Sequence, residues 1–304
     1  MTLNMLIPDS LKKEDKIGIV APARKIEMHE IEAAISVFES WELNVELGKN
    51  ILAQDRQFAG TDEQRVKDLQ SMLDNREIKA IVCARGGYGT IRLLPQLDFT
   101  TFLKSPKWII GYSDVTALHA HLNQNLGVQS LHGIMPLNFP KDKSENQATI
   151  SLKKALFGEQ NLYEIDNHKL NRQGRVVGEI IGGNLSVLYS ISGTKYDINT
   201  NGKVLVLEDL DEYLYHIDRM MMNLKLGGKL ENLKALIIGG MNDMNDNTVP
   251  FGKTAFEIIS DAVNEYRYPV CFNFPIGHIE NNYTIKLGSK IELDCSEKRV
   301  KFIN

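Results

Sequence analysis

The segment Lys107–Leu118, with the sequence KWIIGYSDVTAL, passes from an apolar strand pattern through a tight turn into a helical pattern. The turn contains Ser113, and a serine at such a turn is presented at the edge of a sheet with its N–H near a helix N-terminus. This geometry suits a nucleophile beside an oxyanion hole. It is also typical of a plain helix cap, because serine and aspartate are preferred capping residues. The segment therefore predicts a strand–helix unit, whose chemistry depends on the rest of the chain.

Composition excludes several classes of protein. The 304 residues fit about two domains, and 43% apolar with 24% charged residues is typical of a soluble globular chain. The net charge of −4 comes without a basic stripe, so we expect no nucleic-acid partner. No stretch approaches the roughly 18 apolar residues of a membrane span, and the N-terminus lacks a secretory pattern. We therefore expect no membrane partner either.

The cysteines and histidines indicate neither a metal site nor a disulfide framework. Cys83, Cys271 and Cys295 are odd in number and widely spaced, and no group of residues has metal-ligand spacing. We expect a chain without metal or cofactor that works in the cytoplasm with reduced cysteines.

The first 140 residues alternate between strand and helix patterns. Thr61 followed by Gln64 forms a capping box that opens one of the helices. Apolar runs predict strands at 16–20, 44–47, 80–83 and 108–110. Repeated strand–helix units imply a parallel sheet that is covered on both faces. Residues 1–140 are therefore predicted to form an α/β domain that carries Ser113.

The second half of the chain has a different character. Residues 141–173 begin with a polar run and lack a strong repeating pattern, which favours an interdomain linker. Residues 174–304 combine strand patterns with a helix around Met220. The stretch from Tyr283 to Ile303 alternates as antiparallel hairpins do. Residues 174–304 are therefore predicted to form a mixed α/β domain.

Polar residues follow three apolar runs, and functional residues of α/β sheets gather at the ends of strands. One run ends in Ser113, a second in Glu208, and a third leads to His278. A serine hydroxyl needs a neighbouring base, histidine is the usual base at neutral pH, and a carboxylate orients it. The chain thus offers the parts of a Ser-Glu-His triad, with Asp209 and Glu212 as alternative carboxylates.

A glycine-rich turn follows the strand at 80–83. Gly86–Gly89 exposes backbone N–H groups but is no dinucleotide fingerprint, since Arg92 occupies the place of the last glycine. An oxyanion donor and a simple tight turn both fit. Arg85, just before it, suits a substrate carboxylate or a structural ion pair. His132 follows another apolar strand and is a candidate for the lining of the pocket.

Five blocks of the chain together resemble the signature of a known family. They are Arg85–Gly89, Ile110–Asp114, Gly182–Leu185, Leu207–Asp209 and Gly277–His278. In this order and at these intervals they are similar to the LD-carboxypeptidases, serine peptidase family S66. That family includes the murein tetrapeptide carboxypeptidases and the microcin C immunity peptidases. The resemblance extends from about residue 16 to about residue 290.

The resemblance implies an architecture and a set of site residues. The fold it implies is a Rossmann-like (flavodoxin-like) parallel-sheet N-terminal domain plus a smaller mixed α/β C-terminal domain with β-barrel character, commonly as a homodimer. Ser113 is implied as the nucleophile, His278 as the base and Glu208 as the orienting carboxylate. The implied oxyanion donors are the backbone N–H groups of Gly87 and Asp114. The expected residues of the substrate pocket are Arg85, Gly86, Tyr112 and His132.

The resemblance also implies a reaction, with two alternatives. The expected activity is hydrolysis of an L,D peptide bond through an acyl-enzyme, which releases terminal D-alanine from a murein tetrapeptide in cell-wall recycling. The first alternative is an immunity-type peptidase that cleaves peptidyl or aminoacyl nucleotide amides. It is less favoured because Trp41 and Trp108, the only tryptophans, lie in predicted core elements rather than where a base could stack. The second alternative is a muropeptide-binding protein without catalytic activity.

Overall fold

Two β-sheets and the helices that cover them organise residues 5–296 and 299–303, which are the residues that the computed structural model describes. The helices are α1 (Met28–Ser40), α2 (Asp62–Asp74), α3 (Thr90–Leu93), α4 (Thr100–Lys104), α5 (Thr116–His121), α6 (Gln147–Leu156), α7 (Leu185–Ile191), α8 (Leu214–Leu226) and α9 (Ala255–Ala262). In these described ranges no helix is both long and apolar enough to cross a membrane.

The first sheet is built almost entirely from the N-terminal half. Its strands are β1 (Lys16–Val20), β2 (Asn44–Leu47), β3 (Ile78–Cys83), β4 (Trp108–Gly111), β5 (Ser130–His132) and β11 (Ile285–Leu287). The strand order is β11-β5-β4-β3-β1-β2, and β1 to β5 are all parallel. The order 2-1-3-4-5 is that of flavodoxin-like folds, which bind ligands beside the carboxyl ends of β1 and β3. The predicted parallel sheet is confirmed.

The strands of this sheet are apolar throughout because both faces are covered. Ala80 and Val82 of β3 pack into a cluster with α1 and α6, whereas Ile81 and Cys83 pack into the cluster on the opposite face. The predicted capping box of α2 is present, with Thr61 Oγ1 accepting from the backbone N–H three residues later. Local signals of this kind set where each element begins and which face it buries.

The second sheet is mixed. Its strands are β6 (Leu162–Asp166), β7 (Gly174–Asn184), β8 (Val204–Leu210), β9 (Ala235–Asn242), β10 (Val270–Cys271), β12 (Lys290–Cys295) and β13 (Arg299–Ile303). The order is β10-β9-β8-β7-β12-β13-β6, with the first four strands parallel and the others antiparallel. The expected C-terminal hairpin is present as the antiparallel pair β12 and β13; residues 297–298 lie outside the described residues. β11, expected in a hairpin, instead pairs antiparallel with β5 of the first sheet.

The two halves share more than one connection. Residues 141–173, expected to be a linker, contain α6 and β6, which pack on the first and second sheets respectively. Helices α7, α8 and α9 of the second half join α2, α4 and α5 of the first in one apolar cluster. This shared core fixes the carboxyl ends of β3 and β4 relative to those of β7 and β8.

Candidate active site

Ser113 lies at the turn between β4 and α5, in a backbone conformation that few side chains adopt. Its φ is +61°, in the left-handed region. A non-glycine residue held there costs about 1–3 kcal/mol, and such residues cluster at functional sites. Ser113 opens a single 3-10 turn, Ser113–Val115, that leads directly into α5. The tight strand-to-helix turn predicted from the sequence is therefore present.

Two buried side chains brace this turn. His119 places Nε2 2.9 Å from the carbonyl oxygen of Gly111 and Nδ1 2.9 Å from Oγ of Ser130. Because a carbonyl oxygen only accepts, Nε2 carries the proton and Nδ1 accepts from the hydroxyl. Burial lowers the pKa of His119 to about 3, which keeps the ring neutral. On the other side, the Asp114 carboxylate accepts a 2.8 Å hydrogen bond from the backbone N–H of Thr90.

The loop after β3 comes into contact with the serine turn. A Cβ atom at Gly86 would lie 2.8 Å from both Cβ and Oγ of Ser113, and 3.5 Å from the backbone N of Asp114. Gly87 has a φ of +113°, and a Cβ there would lie 2.5 Å from Cδ of Arg24. Only glycine permits so close an approach. The two glycines therefore bring bare backbone next to Ser113.

His278, from the second half of the chain, is paired with Glu208. Nδ1 of the ring lies 2.7 Å from Oε2 of Glu208, which also accepts from the backbone N–H of His278 at 3.3 Å. A carboxylate only accepts, so Nδ1 carries the proton and Nε2 keeps its lone pair. This tautomer is the one that a general base requires.

Two backbone features position Glu208. The pairing of β8 with β9 shifts register between Leu207 and Asp209, so Glu208 lies at an irregularity of the ladder. Bulges of this kind re-aim a side chain next to a site. Gly277 has a φ of +95°, and a Cβ there would clash with the carboxylate of Glu208. The irregularity of β8 directs the side chain of Glu208, and Gly277 leaves space for its carboxylate beside His278.

The pairing shifts the pKa of both partners. Burial lowers the pKa of His278, but the hydrogen bond and the charge of Glu208 outweigh it and raise the pKa above its usual value. Burial raises the pKa of Glu208, but the hydrogen bond and the charge of His278 outweigh it and lower the pKa. A proton that His278 takes up is therefore stabilised by the carboxylate.

Neither of the two alternative carboxylates is hydrogen-bonded to His278. Asp209 accepts from a side-chain amide and a backbone N–H at the start of α7, both at 2.9 Å. Burial and the neighbouring charge of Glu208 raise its pKa to about 7. Glu212 instead lies 2.5 Å from His216. Of these three carboxylates, Glu208 is thus the one that orients the imidazole.

Both halves of the chain line one cavity of about 480 Å³, in which Ser113 and His278 meet. Within the described residues, Ser113 Oγ makes no hydrogen bond, so the serine and the histidine share the cavity without a direct one. Catalytic hydrogen bonds are often loose without substrate and tighten in the complex. The described ranges hold no group of three His, Cys, Asp or Glu side chains placed to bind a metal ion.

Three of the four residues expected in the pocket line this cavity, namely Arg85, Gly86 and Tyr112. The fourth, His132, lies outside it and is fully buried in β5, with its ring 5.9 Å from that of Tyr112. Burial lowers the pKa of His132 to about 4. The strand is covered because β11 pairs along its edge, and that strand comes from the far end of the chain.

The walls of the cavity carry opposite charges. Arg24 and Arg85 line it from the first half together with the buried Asp114, whereas Asp209, Asp211 and Glu212 line it from the second. The sequence analysis did not single out Arg24. Its position a few residues after β1, at the carboxyl end of a strand, is the signal that would have found it.

The fold and the site together define an α/β protein of the serine-hydrolase class. The sheet is flavodoxin-like, a strained serine follows β4, and a histidine paired with a buried glutamate lines the same cavity. Residues 17–133 match the LD-carboxypeptidase N-terminal domain, and residues 177–293 match the LD-carboxypeptidase C-terminal domain. The chain belongs to the LD-carboxypeptidase family, serine peptidase family S66, and is thus a serine-type LD-carboxypeptidase.

Individual relatives agree with this assignment. The chain is 35% identical to the probable murein peptide carboxypeptidase of Bacillus subtilis over 298 residues, which cover 96% of this chain and 92% of the relative. It is 26% identical to the microcin C7 self-immunity protein MccF of Escherichia coli over 274 residues, 80% of this chain and 78% of that one. The crystal structure of the muramoyltetrapeptide carboxypeptidase from Oxalobacter formigenes superposes with a TM-score of 0.86 at 26% identity, covering 95% of this chain and 98% of that one.

Proposed function

We propose that Ser113, His278 and Glu208 form the catalytic triad of this carboxypeptidase. The observation that carries the proposal is the 2.7 Å hydrogen bond between Glu208 and His278, whose ring lines the same cavity as the strained Ser113. In the first step His278 Nε2 takes the hydroxyl proton while Ser113 Oγ attacks the carbonyl carbon of the scissile bond. The charge of Glu208 stabilises the imidazolium that forms.

The oxyanion of the tetrahedral intermediate would be held by the backbone N–H groups of Gly87 and Asp114. Both belong to the segments that meet at Ser113, and each such donor is worth about 3 kcal/mol in other serine hydrolases. Collapse of the intermediate breaks the C–N bond, and the proton on His278 goes to the leaving amine. Water then attacks the carbonyl carbon of the ester on Ser113 and gives a proton to His278 Nε2. The C–Oγ bond breaks, the acyl group leaves as a carboxylic acid, and His278 returns the proton to Ser113 Oγ.

The substrate that we propose is a murein tetrapeptide, from which the enzyme releases the terminal D-alanine by cleaving an L,D bond. The names of the Bacillus subtilis and Oxalobacter formigenes relatives support a murein peptide. The opposite charges of the cavity walls also suit a small peptide that carries carboxylates and an amino group. The arginine wall favours a carboxylate, and the acidic wall favours the amino group.

Release of D-alanine from a synthetic murein tetrapeptide, read by mass spectrometry, tests this function. We expect Ser113→Ala to abolish release while the thermal unfolding midpoint changes little. Ser190→Ala, an exposed serine outside the cavity, is the matched control and should keep full activity. Normal release by Ser113→Ala would refute the triad. No release by the wild-type protein would refute the substrate and favour an enzyme of other specificity or a chain that only binds muropeptides.

The match to the microcin self-immunity protein favours a second candidate, hydrolysis of aminoacyl nucleotide amides. Trp41 and Trp108 are only 5% and 3% exposed, so neither indole is free to stack on a base, and Tyr112 is the aromatic residue of the cavity lining in the described structure. An aminoacyl sulfamoyl adenylate beside the tetrapeptide in the same assay separates the two. Preferential cleavage of the adenylate would establish the second candidate.

Two further predictions concern the cell compartment and the oligomeric state of the enzyme. We propose that it works in the cytoplasm, on the evidence of its three unpaired cysteines, and as a homodimer, on the family resemblance. Cell fractionation and light scattering of the purified protein check them directly.

A further inference from the structure

Arg24 lies beside the proposed oxyanion site. It follows β1 at the switch point of the first sheet, and its side chain crosses the glycine loop. The methylene carbons Cγ and Cδ lie so close to Gly87 that a Cβ there would be 2.6 Å and 2.5 Å from them. The side chain of Arg24 thus packs against the backbone of Gly87, whose N–H we assign as an oxyanion donor.

This guanidinium has no hydrogen-bonded or ion-paired partner within the described residues; it acts on the buried carboxylate of Asp114 only through its charge. No hydrogen bond or ion pair of the Arg24 side chain is present in the described ranges, and the residue is exposed. Arg85, the other cation of the cavity, is different. It donates from one terminal nitrogen to the carbonyl of Lys25 at 3.1 Å, and the same nitrogen lies 3.8 Å from the carboxylate of Glu30, although its buried Nε–H has no hydrogen-bond partner. Of the two cavity arginines, Arg24 is therefore the one whose whole guanidinium is without a hydrogen bond or ion pair in the described structure.

The chemistry of a carboxypeptidase demands a cation at this place. The leaving residue ends in a carboxylate, and carbonyl carbons of consecutive residues lie only about 3.5 Å apart. A group that binds the terminal carboxylate must therefore lie close to the oxyanion donors. The opposite wall, with Asp211 and Glu212, would repel a carboxylate.

We propose that Arg24 binds the terminal carboxylate of the substrate and so restricts cleavage to the last peptide bond. The inference rests on the proposed carboxypeptidase function and adds the residue that makes the enzyme act at a chain end. The planar guanidinium suits this role because it meets a carboxylate with two parallel hydrogen bonds.

The test compares two synthetic tetrapeptides, one ending in D-alanine and one in D-alaninamide, with the wild-type enzyme and three variants. Arg24→Ala should lower kcat/KM for the acid by about 10- to 100-fold, mainly through KM, and leave the amide nearly unchanged. Arg24→Lys should recover part of the loss, since it keeps the charge but not the fork. Arg267→Ala, an exposed arginine outside the cavity, is the matched control and should leave both substrates unchanged.

The outcomes separate this inference from the function on which it rests. If the wild-type enzyme cleaves the acid and Arg24→Ala loses nothing, or loses equally on acid and amide, Arg24 does not bind the terminal carboxylate. If the wild-type enzyme cleaves neither peptide, the proposed function fails and the role of Arg24 fails with it. Unfolding curves of each variant show whether a loss of rate comes from a loss of folded protein.

Discussion

Replacement of Gly86 by alanine tests the contact on which the proposed oxyanion hole depends. The new methyl group would lie 2.8 Å from both Cβ and Oγ of Ser113. Carbon atoms pack best at about 3.5–4.0 Å, so the loop and the serine must separate by more than about 0.5 Å. The backbone at Gly86 does not have a positive φ, so alanine itself is not strained there. The substitution therefore acts through the displacement of the serine.

We expect this displacement to cost much more activity than stability. A misplacement of about 1 Å in a catalytic group lowers the rate by about 100-fold, whereas overpacking costs about 1–3 kcal/mol of unfolding free energy. The assay is D-alanine release per folded molecule, with the folded fraction taken from urea unfolding. Gly193→Ala is the control, because a Cβ there meets nothing within 4 Å although φ is +73°. It should lose about 1 kcal/mol of stability and no specific activity.

The reasoning is refuted if Gly86→Ala keeps wild-type specific activity, because the loop would then not constrain the serine. It is equally refuted if the activity falls only in proportion to the unfolded fraction.

Three further predictions concern residues in the second half of the chain. Glu208→Gln should lower kcat by about 100- to 10,000-fold. The wild-type carboxylate raises the pKa of His278, so the acid limb of the pH profile of kcat/KM should lie at a higher pH than the pKa of free histidine. In Glu208→Gln the acid limb should move to lower pH. An acid limb that stays in place would contradict the pairing of Glu208 with His278. In the folded protein the pKa of Asp209 is about 7, against a usual value of 3.8. This group therefore stabilises the folded protein below pH 3.8, and that stabilisation is lost as the pH rises from 3.8 through 7. The loss in unfolding free energy is no more than about 4 kcal/mol. Urea unfolding should show that Asp209→Asn removes most of this dependence, and an equal slope in both proteins would argue against the shifted pKa. Gly182→Ala should unfold at much lower urea, since its φ is +126° and a Cβ would collide with the backbone oxygen of Val206; a loss below about 1 kcal/mol would contradict this.

The parts of the fold that the sequence predicts are those set by local signals. The strand runs of the first sheet are continuous and apolar, and the capping box at Thr61 marks the start of α2, so their positions follow from short-range chemistry. The capping box of α6, in which Asn146 and Thr149 bond each other's backbone, is a signal of the same kind within residues 141–173. An Asn with a Thr is a weaker capping signal than a Thr with a Gln, so the sequence does not predict this helix.

The parts that the sequence does not predict depend on pairing across the chain. β11 has only three residues, and nothing in them indicates that they pair with β5 rather than with β12. The burial of His132 follows from that pairing, so the sequence does not predict that His132 lies outside the cavity. The geometry at Glu208 and Arg24 likewise depends on two halves of the chain that meet only in the folded protein.

The seating of β11 against β5 has a consequence for how the chain is made. A ribosome releases the first five strands long before Ile285–Leu287, so one side of Ser130–His132 has unsatisfied N–H and C=O groups while most of the second half of the chain is being synthesised. Such an open edge is a template for pairing with other chains, which makes the unfinished protein prone to aggregation. His278 leaves the ribosome only shortly before the strand that closes this edge. The enzyme can therefore become active, and protected from edge-to-edge aggregation, only after Ile285–Leu287 has left the ribosome.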